Sequence, residues 1–327
     1  MQYSRLSFLA IAATGLTFAN AAHADVSVPY TLVGTFALPS NTYDLLPDGR
    51  LISIDPAGNV AIQNAVNSSA YTNVGSIGTI NSDGFGPAFV SVSPDGSTLA
   101  VGNNEFNTSN AVLFYDTVQA TSGSATPTHS ITTPHFAGDW SDNQTFYVSG
   151  ADAATFGTVV NRLDLTLGAS TTVISPAGGF SGAVHTTGGT LYAGEGDTGN
   201  VFAFDLPTLA SATTSAPISS GTLTTTHESA GSIDTDPFGN LIVAGGFFDF
   251  GSGTFTGSAA VIDPATQDKL VLTPAGLGTF YGAYFNDATN ELVVTADGTA
   301  YVYAIPTPGV LAPMTLGLVA LRRRNRN

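Results

Sequence analysis

The chain has 327 residues, 43% of them hydrophobic and only 10% charged, with 37 Gly and no Cys. Eight Lys and Arg stand against 24 Asp and Glu, a net charge of −16. The lack of cysteine excludes disulfide staples and a lipidated-cysteine anchor. The scarcity of basic residues excludes nucleic acid as a partner, because phosphate binding needs a basic patch.

Residues 1–24 read as a secretory signal peptide. Arg5 supplies a positive charge, Leu6 to Ala19 is an apolar stretch, and Ala22-His23-Ala24 offers small residues at the cleavage positions before Asp25. The body, 25–305, is repetitive. A Pro-Asp-Gly turn stands at Pro47-Asp48-Gly49 and again at Pro94-Asp95-Gly96. Degenerate copies follow at Ser141-Asp142-Asn143, Thr187-Gly188-Gly189, Pro237-Phe238-Gly239 and Asp287-Ala288-Thr289, so the spacing stays between 46 and 50 residues.

Pro presets φ, Asp bonds the local backbone and Gly takes positive φ, so each copy turns a hairpin. A short run precedes each turn and a more apolar run follows it, as in FVSV and TLAVG around the second. A third run ends in Asp116, Asp164, Asp205 and Asp263 in four units, where a carboxylate can bond the next turn. A fourth, Thr-rich run leads onward. Four antiparallel strands per forty to fifty residues predict a β-propeller blade, and six copies predict an all-β, six-bladed propeller. The sixth unit stops after its third strand, while Tyr30–Leu38 (YTLVGTFAL) is an orphan strand before the first. Closing the ring with residues 30–38 as the outer strand of blade six removes the open edges. Gly-containing pairs before the first strands (Phe85-Gly86, Phe136-Ala137-Gly138, Phe180-Ser181-Gly182, Ala230-Gly231, Tyr281-Gly282) suggest close packing at the strand entrances. The body resembles bacterial propellers with NHL, YVTN or lactonase-like repeats, a likeness of turn and strand pattern that implies fold rather than function.

Residues 306–327 form a tripartite tail: Pro306-Thr307-Pro308-Gly309, the apolar Val310–Leu321, and a cluster of Arg322, Arg323, Arg324 and Arg326. Twelve helical residues rise about 18 Å, short of the ~30 Å hydrocarbon core, and the cluster favours the cytoplasmic side. This tail resembles the PEP-CTERM class of bacterial sorting signals, with Thr307 where the name-giving motif has Glu. The resemblance implies export, processing by an exosortase-type membrane transpeptidase, and delivery to the cell surface or beyond. Without the two ends, the body keeps only Arg50, Arg162 and Lys269 against all 24 acids, a charge of −21.

No nucleophile motif, nucleotide loop or H-E-x-x-H occurs. Acids follow the second strands at Asp55, Glu105, Asp152, Glu195 with Asp197, Asp249 and Asp297. They read first as turn formers; Glu195 and Asp197 are the pair placed to hold Ca²⁺ or another divalent cation. His135, His227 and Glu228 precede the first strands of blades three and five, whereas Asp139, His185 and Asp234 lie within first strands. A lactonase-like, metal-dependent hydrolase would need His135, Asp139, His185, His227 and Glu228 to converge within ~5 Å in the channel. The competing expectation is a water-filled channel lined by hydrogen-bonded polar groups. Phe247-Phe248-Asp249-Phe250 falls in what reads as the longest loop, Gly245–Gly257, and offers a contact for polysaccharide or a surface protein. The function expected is an exported, monomeric, non-enzymatic binding or adhesion scaffold; the alternative is the hydrolase.

Overall fold

The computed structural model describes residues 30–40, 42–78, 80, 88–102, 111–152, 157–175, 181–249, 253–272 and 281–305. The signal peptide, the sorting tail, Glu105, Phe250, Phe85-Gly86 and Phe180 lie outside the described residues.

Strand β1 (Thr31–Ala37) comes first in the chain and last in the ring. Blade one is β2 (Tyr43–Leu45), β3 (Leu51–Ile54), β4 (Asn59–Gln63) and β5 (Tyr71–Ser76). Blade two is β6 (Phe89–Val92), β7 (Thr98–Gly102), β8 (Ala111–Asp116) and β9 (His129–Thr132), with the short helix α1 (Thr117–Ala120) before its last strand. Blade three is β10 (Ala137–Trp140), β11 (Thr145–Ala151), β12 (Thr158–Asp164) and β13 (Ala169–Ile174). Blade four is β14 (Ser181–Thr187), β15 (Thr190–Glu195), β16 (Asn200–Asp205) and β17 (Thr222–Thr226), with α2 (Leu206–Ser211) in the same place as α1. Blade five is β18 (Ser232–Thr235), β19 (Leu241–Asp249), β20 (Thr254–Ile262) and β21 (Lys269–Val271). Blade six contains β22 (Tyr281–Asn286), β23 (Glu291–Ala296) and β24 (Thr299–Ala304), completed by β1.

All six sheets have four strands and every pairing within them is antiparallel. The closure is as the orphan strand predicted: Thr31 pairs with Ala304 and Ala37 with Thr299, with a bulge between Leu32 and Gly34. The Pro-Asp-Gly turns do more than reverse the chain. Gly49 and Gly96 take φ +82° and +73°. The Asn286 amide donates to the Gly49 carbonyl at 3.0 Å, joining blade six to blade one. A Cβ on Gly96 would stand 2.7 Å from Pro47, and the Asp95 amide donates to the Asn143 side chain at 3.2 Å. Successive turns therefore nest against one another. We call this end of the disc the turn face, and the opposite end, where the chain enters each blade, the loop face.

The second strands form the buried middle of each blade: Leu51, Ile52, Leu99, Phe146, Leu191, Leu241, Leu292 and Val293 are all fully or almost fully buried. Between blades two and three, Trp140 packs against Phe114 and Phe146 at ring distances of 5.7 and 4.9 Å and donates its indole N–H to the Ser91 carbonyl. The acids ending the third strands act as read from sequence. Asp116 and Asp205 accept from Gln119 and Thr208 and so cap α1 and α2, Asp164 accepts from Leu167, and Asp263 from Ala265.

One expectation changes. Residues 245–249 and 254–257 are strand and not loop: β19 and β20 run nine residues each, pairing Phe247 with Thr256 and Phe248 with Phe255. Alternating β-favouring residues on both arms simply extend the hairpin. The strand-entrance glycines relieve contacts between neighbouring strands and blades. A Cβ on Gly138 would meet the Phe146 ring at 2.3 Å, and one on Gly182 the Ala230 carbonyl at 2.3 Å.

Candidate functional site

The axial channel is a cavity of about 1020 Å³ walled by the six first strands. One layer of its wall is set by register. Asp44, Ser91, Asp139, His185, Asp234 and Tyr284 pair with Ile52, Ala100, Tyr147, Tyr192, Ile242 and Val293, in each blade the residue just after the fully buried Leu51, Leu99, Phe146, Leu191, Leu241 or Leu292. Carboxylates therefore occupy the odd-numbered blades and neutral side chains or histidine the even ones.

The innermost strand of a blade is a sheet edge, so half its N–H groups lack a ladder partner. The three carboxylates meet that need for the next blade. Asp44 accepts from the Val92 amide at 2.6 Å, Asp139 from Thr186 at 2.6 Å, and Asp234 from Phe285 at 2.7 Å. The other oxygen of each accepts from the following residue of its own strand: Leu45, Trp140 and Thr235 at 2.8, 2.9 and 2.6 Å. Bonds of this kind are short, and where the carboxyl is ionised they are charge-assisted and so stronger. They staple blade one to two, three to four, and five to six.

His185 joins two staples. Its Nδ1 lies 3.2 Å from Asp139, and its Nε2 lies 3.2 Å from the Thr235 hydroxyl and 3.6 Å from Asp234. Burial disfavours the imidazolium, but the Asp139 bond and the charges of Asp234 and Asp139 outweigh it and hold the pKa above the usual value. Burial pushes the Asp44 carboxyl up to about 7, against the opposing bonds from Val92 and Leu45, and also raises Asp234, with the His185 charge opposing. Beside Asp44, Tyr43 donates to or accepts from Thr295 at 2.6 Å and packs at 5.8 Å on Tyr284.

The five side chains proposed for a hydrolase do not gather. Asp139 and His185 meet in the channel. His135 is fully buried against Phe89 near blades two and three, its Nδ1 on the Thr133 carbonyl at 2.8 Å and its Nε2 without a partner among the described residues. His227 and Glu228 form a separate cluster on Ser258, whose hydroxyl lies 3.0 Å from His227 Nε2 and donates to Glu228 at 2.7 Å. The carboxylate there holds the serine proton and does not orient the imidazole, whose Nδ1 is buried and has no partner among the described residues. Burial lowers the pKa of both histidines. Glu195 accepts from the Asn200 amide at 2.9 Å and from the Thr198 hydroxyl, and Asp197 accepts from the Thr198 amide at 2.9 Å. Asp55 likewise accepts from Asn59 twice. These are turn bonds.

Among the described residues, no group of three or more His, Asp or Glu side chains is arranged to hold a metal ion. In the channel trio, both oxygens of Asp139 and Asp234 accept backbone N–H groups and both His185 nitrogens have polar neighbours. That donor set does not fit a divalent cation without breaking the staples. Asp44 was not among the expected site residues; it stands three before Pro47 as Asp234 stands three before Pro237, and that shared spacing is the signal the sequence offers for it. Ser258 carried no signal, since its partners lie about 30 residues away.

No protein-family model matches the chain, and no curated protein matches it in sequence. Solved structures do match in shape. The WD40 β-propeller domain of Doa1 is similar with a TM-score of 0.51 at 10% identity, over 86% of this chain and 98% of its own. A chain of the mitotic checkpoint complex gives 0.52 at 14% identity, over 94% and 100%. A chain of hydrazine synthase from Kuenenia stuttgartiensis gives 0.50 at 14% identity, over 82% and 83%. At these identities the likeness shows the fold alone, and the chain is a six-bladed β-propeller.

Proposed function

We propose that the chain is an exported, surface- or matrix-held β-propeller that acts as a binding or adhesion scaffold and is sorted by its PEP-CTERM-like tail. The observation that carries the reading is the commitment of Asp44, Asp139 and Asp234 to the backbone of the next blade. Carboxylates engaged this way rigidify a disc and are not free to hold a metal or activate water. A rigid disc with loops at its rim is a general platform for partners. Export and sorting rest on residues 1–24 and 306–327 of the sequence.

The contact of His185 with Asp139 and Asp234 favours, as a second reading, a channel-based metal-dependent lactonase or hydrolase. One preparation separates the two. Protein released from the cell surface is weighed intact, analysed for metals and assayed on a panel of lactones and esters. The scaffold reading expects a chain beginning at Asp25 and lacking Arg322–Asn327, without stoichiometric metal and without turnover. A retained Arg cluster counts against sorting; stoichiometric divalent metal with turnover replaces the scaffold by the hydrolase.

A further inference from the structure

We propose that Ser219, Ser220 and Thr222, on the rim of blade four, carry O-linked sugar, and that the cavity beside them seats the first sugar ring. The inference rests on the exported reading above. The outer wall between the turn face and the loop face is the rim, and the segment after α2 lies on it. From Leu206 to Thr226 the chain has no charged residue, although the body carries 24 acids. Eleven of these 21 residues are Ser or Thr, with Pro207 and Pro217 among them. Hydroxyl-rich, proline-containing stretches are the composition of O-glycosylated stalks.

The segment divides by what its hydroxyls do. Its first part is a strap over blade three. The Ile218 amide donates to the Val173 carbonyl at 2.9 Å and the Ser175 amide to the Ile218 carbonyl at 3.0 Å, so the strap pairs along the outer edge of β13. Hydroxyls here hold the strap in shape. Ser211 donates to the Thr208 carbonyl at 2.8 Å, the Thr213 and Ser215 hydroxyls lie 3.2 Å apart, and Thr214 accepts from the Thr172 amide at 3.2 Å. After Ile218 the chain returns to its own blade, where Thr222 pairs with Ala203. On this return Ser219, Ser220 and Thr222 are exposed, and their hydroxyls have no hydrogen-bond partner among the described residues.

Beside the return lies a cavity of about 310 Å³, lined by the apolar Phe204 and Leu209 and by the polar Asp205, Thr208, Ser220 and Thr222. Its volume is at the small end of ligand pockets. A Cβ on Gly221 would stand 2.6 Å from the Phe204 ring, so glycine lets the backbone run close along the aromatic. A sugar ring packs its C–H face on apolar side chains and bonds carboxylates and hydroxyls through its own hydroxyls. Two free acceptor hydroxyls therefore stand on the wall of a cavity that offers both kinds of contact. Attachment uses a sugar activated as an anomeric phosphate ester and a separate glycosyltransferase. The bond from the anomeric carbon to the phosphate oxygen breaks and one to the Ser or Thr Oγ forms. The hydroxyl proton passes to a base of the transferase, and the phosphate leaves with the electron pair of the broken bond.

Protein released from the cell surface is cut after its acidic residues, which isolates the peptide Leu206–Glu228 because no acid lies between Asp205 and Glu228. Its mass should exceed the sequence value by whole sugar residues, and electron-transfer fragmentation should place them on Ser219, Ser220 or Thr222. Ser219→Ala/Ser220→Ala/Thr222→Ala should lose the sugar and Thr213→Ala/Ser215→Ala should keep it, both verified as folded by thermal melts. Enzymatic release of the sugar should raise hydrogen exchange along α2 and Ser219–Gly221. A bare peptide from a chain that begins at Asp25 and lacks Arg322–Asn327 overturns the modification and leaves export standing. Sugar confined to Ser211–Ser215, or kept by the triple variant, overturns the site, and unchanged exchange overturns the seating. A bare chain held inside the cell with both ends intact overturns export and the modification with it.

Discussion

Replacing Asp139 by Asn tests whether the channel carboxylates are staples. The side chain is 27% exposed and accepts from the amides of Trp140 and Thr186, with His185 Nδ1 at 3.2 Å. Asparagine keeps one acceptor oxygen, so one backbone N–H must face an amide NH₂ instead of a carboxylate. A hydrogen bond to a charged group contributes about 1.5–3 kcal/mol, and an unsatisfied buried donor costs about 1–3 kcal/mol. Partial exposure puts the expected loss at about 2–3 kcal/mol. With about 2–4 °C per kcal/mol for chains somewhat shorter than this ring, the melting temperature should fall by roughly 4–10 °C. Urea unfolding is followed by emission of Trp140, the single tryptophan, which is buried beside the staple, and in parallel by far-UV circular dichroism. Asp142→Asn, in the exposed third turn where an amide oxygen can still accept from Gln144, should cost less than about 0.5 kcal/mol. An Asp139→Asn protein as stable as the Asp142→Asn control would refute the staple.

Further outcomes follow from the same contacts. Burial keeps Asp44 protonated in the fold up to about pH 7, against about 3.9 in the unfolded chain, so the ring should lose stability as pH rises between those values, and Asp44→Asn should flatten that slope in urea midpoints. His185 has its folded pKa raised, so its contribution is full below about pH 6.5 and lost as pH rises through the folded value; His185→Gln should remove that step, and an imidazole titration by NMR should show the raised pKa directly. Gly49→Ala and Gly239→Ala share positive φ, but only the first places a Cβ 2.6 Å from Ala288, so the Gly49 variant should lose at least about 1 kcal/mol more in the same unfolding assay. Deleting residues 25–37 uncovers the edge of β24, and light scattering after size exclusion should show a larger mass or aggregates compared with the full ring.

The fold was legible because its information is local and repeated. Each turn carries its own chemistry at Pro47, Pro94 or Pro237, and six turns at near-constant spacing specify blades whatever the intervening residues are. The closure was legible by counting, since Tyr30–Leu38 had no partner in its own unit. The channel was legible in part. Asp139, His185 and Asp234 stood in matching first strands, but the two carboxylates act on an amide of the neighbouring blade, 47 and 51 residues away, and His185 on the Thr235 hydroxyl, 50 away. Nothing in a single strand announces that partner. The histidines near the strand entrances misled for a similar reason. His135 and His227 sit in polar, Gly-containing stretches that suggest exposure, yet packing between blades buries both.

The alternation of carboxylates carries a consequence for how the ring holds together. Staples run from blade one to two, three to four and five to six, so the disc is a trimer of stapled blade pairs. The seams between pairs rely on other contacts. Blades two and three share the Phe114–Trp140–Phe146 cluster, four and five the reach of His185 to Thr235 and Asp234, and six and one the Asn286–Gly49 bond with the tilted Tyr43–Tyr284 ring contact. Of these three seams, only the one between blades four and five depends on a group that titrates near neutrality. Rising pH should therefore loosen that seam ahead of the others, seen as hydrogen exchange increasing first along β14 and β18 while β6 and β10 stay protected. Uniform loss of protection around the channel would show that the blades act as six equivalent units and that the pairing has no energetic meaning.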